Sequence, residues 1–406
     1  MNHAQAIAEA AKTYDSFYLY DEAGIVSQCA RLKAAFPEAS LLYSMKTNPD
    51  KRILKTVFSK GIGADAASAG EVFLALEAGL TKDEIYYSAP GKSLRDIEKT
   101  IGSAHIIADS LDEILRIESV AAEKKLPVEI GLRINPNFSF TGETGAPSKF
   151  GVDEDQAVEF LQKYESRFVT VTGLHVHLRS QELNAPVLAR YHKKLLALAA
   201  RFEKEAGLHL SYVNLGSGIG IPYAPTDKQL DVETLGAETS EAIREFHLQY
   251  PDIRFFIETG RYLAGPNGVY VTTVLDRKIS HGKTYVILKS TLNGFVRPSI
   301  AKLVEHASAD GKPAACEPLY TGKDSFGFTV PGKDGAPMET VTLVGNLCTA
   351  ADVIAENIEL PVLECGDLVV ISNAGSYAAV LSPMQFSHQD IPAQLFLDEN
   401  GDLSEA

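Results

Sequence analysis

The sequence predicts an α/β protein, a (β/α)8 TIM-like barrel carrying a second, mostly antiparallel β domain. Up to about residue 270, short β-rich runs alternate with helical patterns of about ten or more residues. Eight such runs fit within about 240 residues, close to the roughly 250 of a closed eight-stranded barrel. Beyond them the rhythm changes to strands and turns without regular helices, and a chain of 406 residues is too long for one ordinary domain.

The first run, LLYSMK (41–46), is apolar and aromatic and delivers Lys46 directly into a Thr-Asn-Pro turn. IGADAAS (62–68), IYYSAP (85–90), HIIADS (105–110), VEIGLRIN (128–135), VTGLHVHLRS (171–180), YVNLGSG (212–218) and RFFIETG (254–260) complete the set. The helical segments between them carry start signals. Ser110 and Glu113 form a capping box ahead of SLDEILRIESVAAEKK, and Ser68 with Glu71 reads the same way before it reads as a catalytic pair. The β domain is written in GVYVTTVLDRKI, KTYVILKS, METVTLVGN, GDLVVISNAG and AQLFLDENG. SFYLYDEA (16–23) precedes the first barrel helix, has no barrel role and is assigned to the β domain. The expected division is a barrel over 24–270, with 1–23 and 271–406 forming the β domain.

Composition narrows the function. Lys and Arg number 38 against 53 acidic residues, a formal charge of −15, which argues against nucleic acid or an anionic membrane as partner. The N-terminus has no signal-like pattern, and no apolar run approaches the ~20 residues of a membrane span, so a soluble cytoplasmic protein is expected. The cysteines Cys29, Cys316, Cys348 and Cys365 are widely spaced, with no CxxC pair, and read as reduced thiols.

In such barrels reactive groups lie at the C-terminal ends of strands. Those ends carry Lys46, Asp65, Arg133, His177, the Gly216-Ser217-Gly218 run, Glu258, Gly260 and Arg261. A glycine-rich turn after the seventh strand lets backbone amides approach a phosphate. The His175-x-His177 pair lacks the further ligands a zinc site needs, so no metal is expected; His175 reads as a core residue and His177 as a site residue.

YSMKTNP, GADAASAGE, SKFG, GLHVHLRSQ, NLGSGIGIPY, ETGRYLAG, GNLCTAADV and GDLVVISNAGSYAAVLSPMQF, in that order, resemble the motif set of the fold type III pyridoxal 5′-phosphate dependent decarboxylases. That family acts on diaminopimelate, ornithine and arginine, and the likeness runs from about residue 17 to 397. It implies an alanine racemase/decarboxylase-type architecture and a small amino-acid-derived substrate. Lys46 would hold pyridoxal phosphate as a Schiff base, with His177 stacked on the ring and Glu258 paired with the pyridine nitrogen. Asp65 and Arg133 would lie near Lys46 and the ring. Ser180, Gly216, Ser217, Gly218, Gly260, Arg261 and Tyr377 would surround the phosphate. Cys348 and Asp352 would come from a partner subunit, making the active unit a head-to-tail homodimer with shared sites. The chemistry is consistent with this: the cofactor is an electron sink for the carbanion left by decarboxylation, and a thiol such as Cys348 is a competent proton donor.

Departures from the family pattern bear on substrate. The residue after the cysteine is normally acidic and pairs with a distal ammonium; here it is Thr349, and a buried unpaired cation would be costly. Glu-Pro-Gly-Arg becomes Glu258-Thr259-Gly260-Arg261, and Arg179 replaces a glycine beside Ser180. Arg297 stands where some relatives hold a distal substrate carboxylate, although Arg179 and Arg297 also suit ordinary surface ion pairs. The Leu347-Cys348-Thr349 signature resembles decarboxylases of siderophore intermediates or carrier-tethered amino acids, so the expected substrate has a non-cationic far end. Meso-diaminopimelate decarboxylase of lysine biosynthesis is the nearest alternative, with ornithine/lysine decarboxylase beside it and a catalytically silent homologue behind both.

Overall fold

The computed structural model describes residues 1–216, 218–308 and 314–405, so Ser217 of the expected phosphate cradle lies outside the described residues. The chain divides into two compact units. One comprises Gln28–Gly220 and Leu230–Gly260; the other comprises Met1–Ser27, Ile221–Gln229 and Arg261–Ala406.

The first unit is the barrel. Its strands Ser40–Ser44, Gly63–Ala66, Ile85–Ser88, His105–Ala108, Val128–Asn135, Val169–His175, Tyr212–Asn214 and Arg254–Thr259 correspond one to one with the runs read from the sequence. All pair in parallel, and the ring closes through Ser40–Ser44 on Arg254–Thr259 and His105–Ala108 on Val128–Asn135. Burial on both faces explains why these strands are near-continuous apolar runs with little alternation. Leu42, Tyr86, Ile107, Tyr212 and Phe256 form one buried cluster of the barrel, with the Tyr86 and Phe256 rings 4.7 Å apart. Helices start where side chains satisfy their first amides: Ser68 accepts from Glu71 N, Ser110 from Glu113 N, and Asn184 from Val187 N.

The β unit is built on Ser16–Asp21, which pairs antiparallel with Gly268–Ser280 and parallel with Ala393–Leu397. The early SFYLYD run is therefore a strand of this sheet. Gly268–Ser280 also pairs antiparallel with Leu368–Ile371 and Lys283–Leu288, and Met338–Gly345 continues the sheet to Val353–Pro361. Helix His3–Ala10 packs Ala6, Ile7 and Ala10 against Phe17, Leu19, Val271 and Leu395. One expectation fails here: this region contains a regular helix, Val296–Ala307. Its Pro298 falls in the first turn, where no intrahelical N–H is required, so the proline marks a helix start and not a loop.

Candidate active site

The barrel rim groups follow from strand register. Arg133 is paired with His175, and His175 with Asn214, so three polar side chains occupy the same level at the ends of adjacent strands. Phe256 pairs with Asn214, which puts Glu258 two residues further along the next strand. Glu258 is buried, 3.0 Å from His175 Nε2, and accepts a hydrogen bond from Asn214 Nδ2 at 2.8 Å. Burial alone would raise its carboxyl, but His175, Lys46 and His177 outweigh burial and hold it well below the usual carboxylate range. An anion is thus maintained inside the barrel.

Lys46 sits just past its strand, in the single turn Met45–Thr47. Thr47 Oγ1 donates to Ser44 O at 2.8 Å, Tyr43 OH to Asn48 O at 3.0 Å, and Asp50 caps the following helix, so the TNPD sequence fixes the turn. Lys46 Nζ donates to Asp65 Oδ2 at 3.0 Å, and Asp65 Oδ1 accepts from Ser88 Oγ at 2.6 Å. Asp65 is fully buried while the Lys46 side chain is 42% exposed, so the amine is held at the rim by a buried carboxylate.

Arg133 lies 3.6 Å from Asp109, donates to His177 O at 3.3 Å, and stacks over Phe150 of the SKFG motif at 4.4 Å. Asp109 also accepts from Gly151 N at 3.1 Å, which ties that motif to the rim. His177 follows the strand end at His175, and Ser180 Oγ lies 3.3 Å from its Nε2. The loss of solvent around its ring lowers the His177 pKa to about 3, with Glu258 opposing and Lys46 and Arg133 assisting. Gly216 has φ of +66°, and a Cβ there would fall 2.2 Å from Val176 O, so only glycine allows the two strand-end loops to touch. Gly218 and Gly260 belong to this unit as well. Arg179 is half exposed and lies 3.6 Å from Glu182, a local surface pair.

The β unit holds a separate cluster. Arg261 and Arg297 are both buried, and each donates to the Tyr223 hydroxyl, at 3.3 and 3.1 Å. Burial would raise the Tyr223 phenol, but the two guanidiniums overcome it and lower its pKa. Arg261 pairs with Glu317 and lies over the Tyr377 ring at 5.1 Å. Arg297 donates to Thr321 Oγ1 at 2.8 Å, and among the described residues no carboxylate lies within ion-pair distance of it. Arg297 is therefore not a surface ion pair. Cys348 is exposed, and the Thr349 hydroxyl accepts from Ala351 N at 3.3 Å. Asp352 departs from expectation. It is 3% exposed, and its carboxylate is engaged inside its own unit: Oδ1 accepts from Thr291 Oγ1 and Leu292 N, and Oδ2 from Leu347 N.

The profile of the family described as "Pyridoxal-dependent decarboxylase, pyridoxal binding domain" matches residues 22–265. The chain belongs to the pyridoxal-dependent decarboxylases. This decarboxylase is 31% identical to the L-glutamyl-[BtrI acyl-carrier protein] decarboxylase of Niallia circulans, over 99% of this chain and 93% of that protein. It is also 31% identical to the diaminopimelate decarboxylase of Archaeoglobus fulgidus, over 86% of this chain and 80% of that one. The crystal structure of Helicobacter pylori diaminopimelate decarboxylase complexed with L-lysine superposes with a TM-score of 0.83 at 26% identity, covering 98% and 95% of the two chains.

The barrel residues fit the cofactor. An amine at the rim, a buried ionised carboxylate and a hydroxyl beside glycine-rich backbone are the donor set that an aldehyde, a ring nitrogen and a phosphate require. Sequence reasoning missed several neighbours. His175 is buried, as expected of a core residue, and it also touches Glu258; Asn214, Ser88 and Asp109 hold expected site residues in place. Their signal was present, since each ends or closely follows a barrel strand. Among the described residues no group of three or more metal-ligating side chains occurs, and no helix is long and apolar enough to cross a membrane.

Proposed function

We propose that this decarboxylase removes the α-carboxylate of an L-amino-acid conjugate whose far end is acylated and carries no cation. The observation that supports this most directly is Arg297. Arg297 is a buried guanidinium held by hydroxyls, of Tyr223 and Thr321, and by the rings of Tyr223 and Phe326, with no carboxylate at ion-pair distance among the described residues, so its surroundings suit an anionic or acyl oxygen and repel an ammonium. Thr349, in place of an acid, points the same way.

In this reading Lys46 anchors the cofactor and Asp65 orients its amine. Glu258 would serve the ring nitrogen and His177 the ring, and Arg133 steadies the His177 backbone. Ser180, Gly216, Gly218, Gly260, Arg261 and Tyr377 serve the phosphate. Bound pyridoxal phosphate supplies the electron sink that accepts the pair left when the carboxylate departs as CO2. Cys348 returns a proton to the α-carbon, Thr349 and Arg297 meet the far end, and the working unit is a homodimer in the cytoplasm. Siderophore precursors such as citryl-diamino acids and carrier-tethered glutamyl groups share the required chemistry, and the name of the Niallia relative supports the second source.

The test is CO2 release from the loaded enzyme offered a citryl-diamino acid, a carrier-tethered glutamyl group, diaminopimelate, lysine and ornithine. Turnover of either acylated substrate well above the three cationic ones is expected. Efficient turnover of diaminopimelate would overturn the substrate assignment.

A further inference from the structure

The loop that carries Cys348, GNLCTAAD, joins strands Met338–Gly345 and Val353–Pro361. Its geometry converges on Asp352. One carboxylate oxygen accepts from Leu292 N at 3.0 Å and from the Thr291 hydroxyl; the other accepts from Leu347 N at 3.1 Å, the residue just before Cys348. The backbone closes the same loop, with Gly345 N donating to Asp352 O at 2.9 Å and Asp352 N to Thr349 O at 3.3 Å. A Cβ on Gly345 would fall 2.0 Å from Asp352 Oδ2 and 1.7 Å from Thr291 Oγ1, so the contact leaves room only for glycine.

The far side of the brace is itself fixed. Tyr18 OH donates to Gly294 O and Tyr270 OH to Ser290 O, while Gly294 N donates to Thr291 O at 3.0 Å. Thr291 and Leu292 are thus held to the buried tyrosine face of the β sheet, and Asp352 transmits that anchorage to the Cys348 turn.

We propose that Asp352 is a positioning residue that sets the Cys348–Thr349 turn and does not bind substrate. Turning the carboxylate outward would strand two amides and a hydroxyl without acceptors, each at a desolvation cost that a single new contact does not repay. The proposal rests on the reading of Cys348 as the proton-donating thiol, so its test avoids turnover.

Iodoacetamide alkylation of each cysteine in the full-length protein is followed by mass spectrometry for wild type, Asp352→Asn, Thr291→Val and Thr291→Ser. Cys316 and Cys365, also exposed, serve as internal references. Asp352→Asn puts a donor against donors and Thr291→Val removes one donor, so each raises the Cys348 rate by about fivefold or more relative to Cys365. Thr291→Ser restores the hydroxyl and stays within about twofold of wild type. If Asp352→Asn fails to fold, the Thr291 pair carries the test alone. Unchanged Cys348 reactivity in Thr291→Val, or no rescue by Thr291→Ser, overturns the proposal. Failure of the underlying reading shows separately, as an unaltered product profile in Cys348→Ala.

Discussion

Glu258→Gln probes the electrostatics inside the barrel. The carboxylate is 2% exposed and has two polar contacts, His175 at 3.0 Å and Asn214 at 2.8 Å. Glutamine keeps an acceptor for Asn214 and offers His175 an amide, so shape is conserved and charge is lost. Hydrogen bonds to charged groups contribute about 1.5–3 kcal/mol against about 0.5–1.5 for neutral ones, so the variant destabilises the barrel by about 1–3 kcal/mol at neutral pH. The sign with pH follows from the lowered carboxyl. Its contribution is complete above the unfolded value near 4.3 and is lost as pH falls through the lower folded value. Wild type and variant therefore differ by a constant amount from about pH 8 to 5, and the gap closes below about pH 4. Urea unfolding followed by far-ultraviolet circular dichroism measures it, since the chain has no tryptophan. Equal midpoints at pH 7, or a gap that widens on acidification, would refute the reasoning. The same variant loses about 10²–10³-fold in turnover if the anion stabilises charge on the cofactor ring.

Lys92 and Glu113 form a fully buried pair at 2.7 Å, with Lys92 Nζ also donating to Ala89 O and Ile107 O. Lys92→Met costs about 3–5 kcal/mol in urea unfolding, and adding Glu113→Leu recovers most of it. Buried His192 donates to or accepts from Thr239 at 2.8 Å, and burial lowers its pKa to about 4. As pH falls below about 6.5 the unfolded chain takes up a proton that the folded one refuses, costing up to about 1.4 kcal/mol per pH unit, and His192→Gln flattens this slope in pH-dependent melting. Mixing inactive Lys46→Ala with Cys348→Ala, which releases little of the correct amine, restores about a quarter of the wild-type yield of that amine if sites are shared between subunits, and adds none if each chain is self-sufficient.

The barrel was legible because its strands are short apolar-rich runs that end on polar residues; LLYSMK and RFFIET carry Lys46 and Glu258 by this logic. Helix Val296–Ala307 was missed because its Arg-Pro pair looks like a loop until Pro298 is placed in a first turn. Burial at single positions was harder to read. Arg297 lies among Tyr223, Thr321 and Phe326, residues distant in sequence, and no local pattern announces a buried cation. Asp352 fails for the same reason. Its acceptors are filled by Thr291 and Leu292 from another part of the β unit, so an acid four residues after a cysteine looks free in sequence and is not free in the fold.

The central claim is that Lys46 anchors the cofactor, and chemical trapping tests it most directly. The protein is loaded with pyridoxal phosphate, reduced with borohydride, digested and mapped by mass spectrometry. The pyridoxyl mass is expected on the peptide containing Lys46 and absent from Lys46→Ala; a label on another lysine, or no label at all, would contradict it.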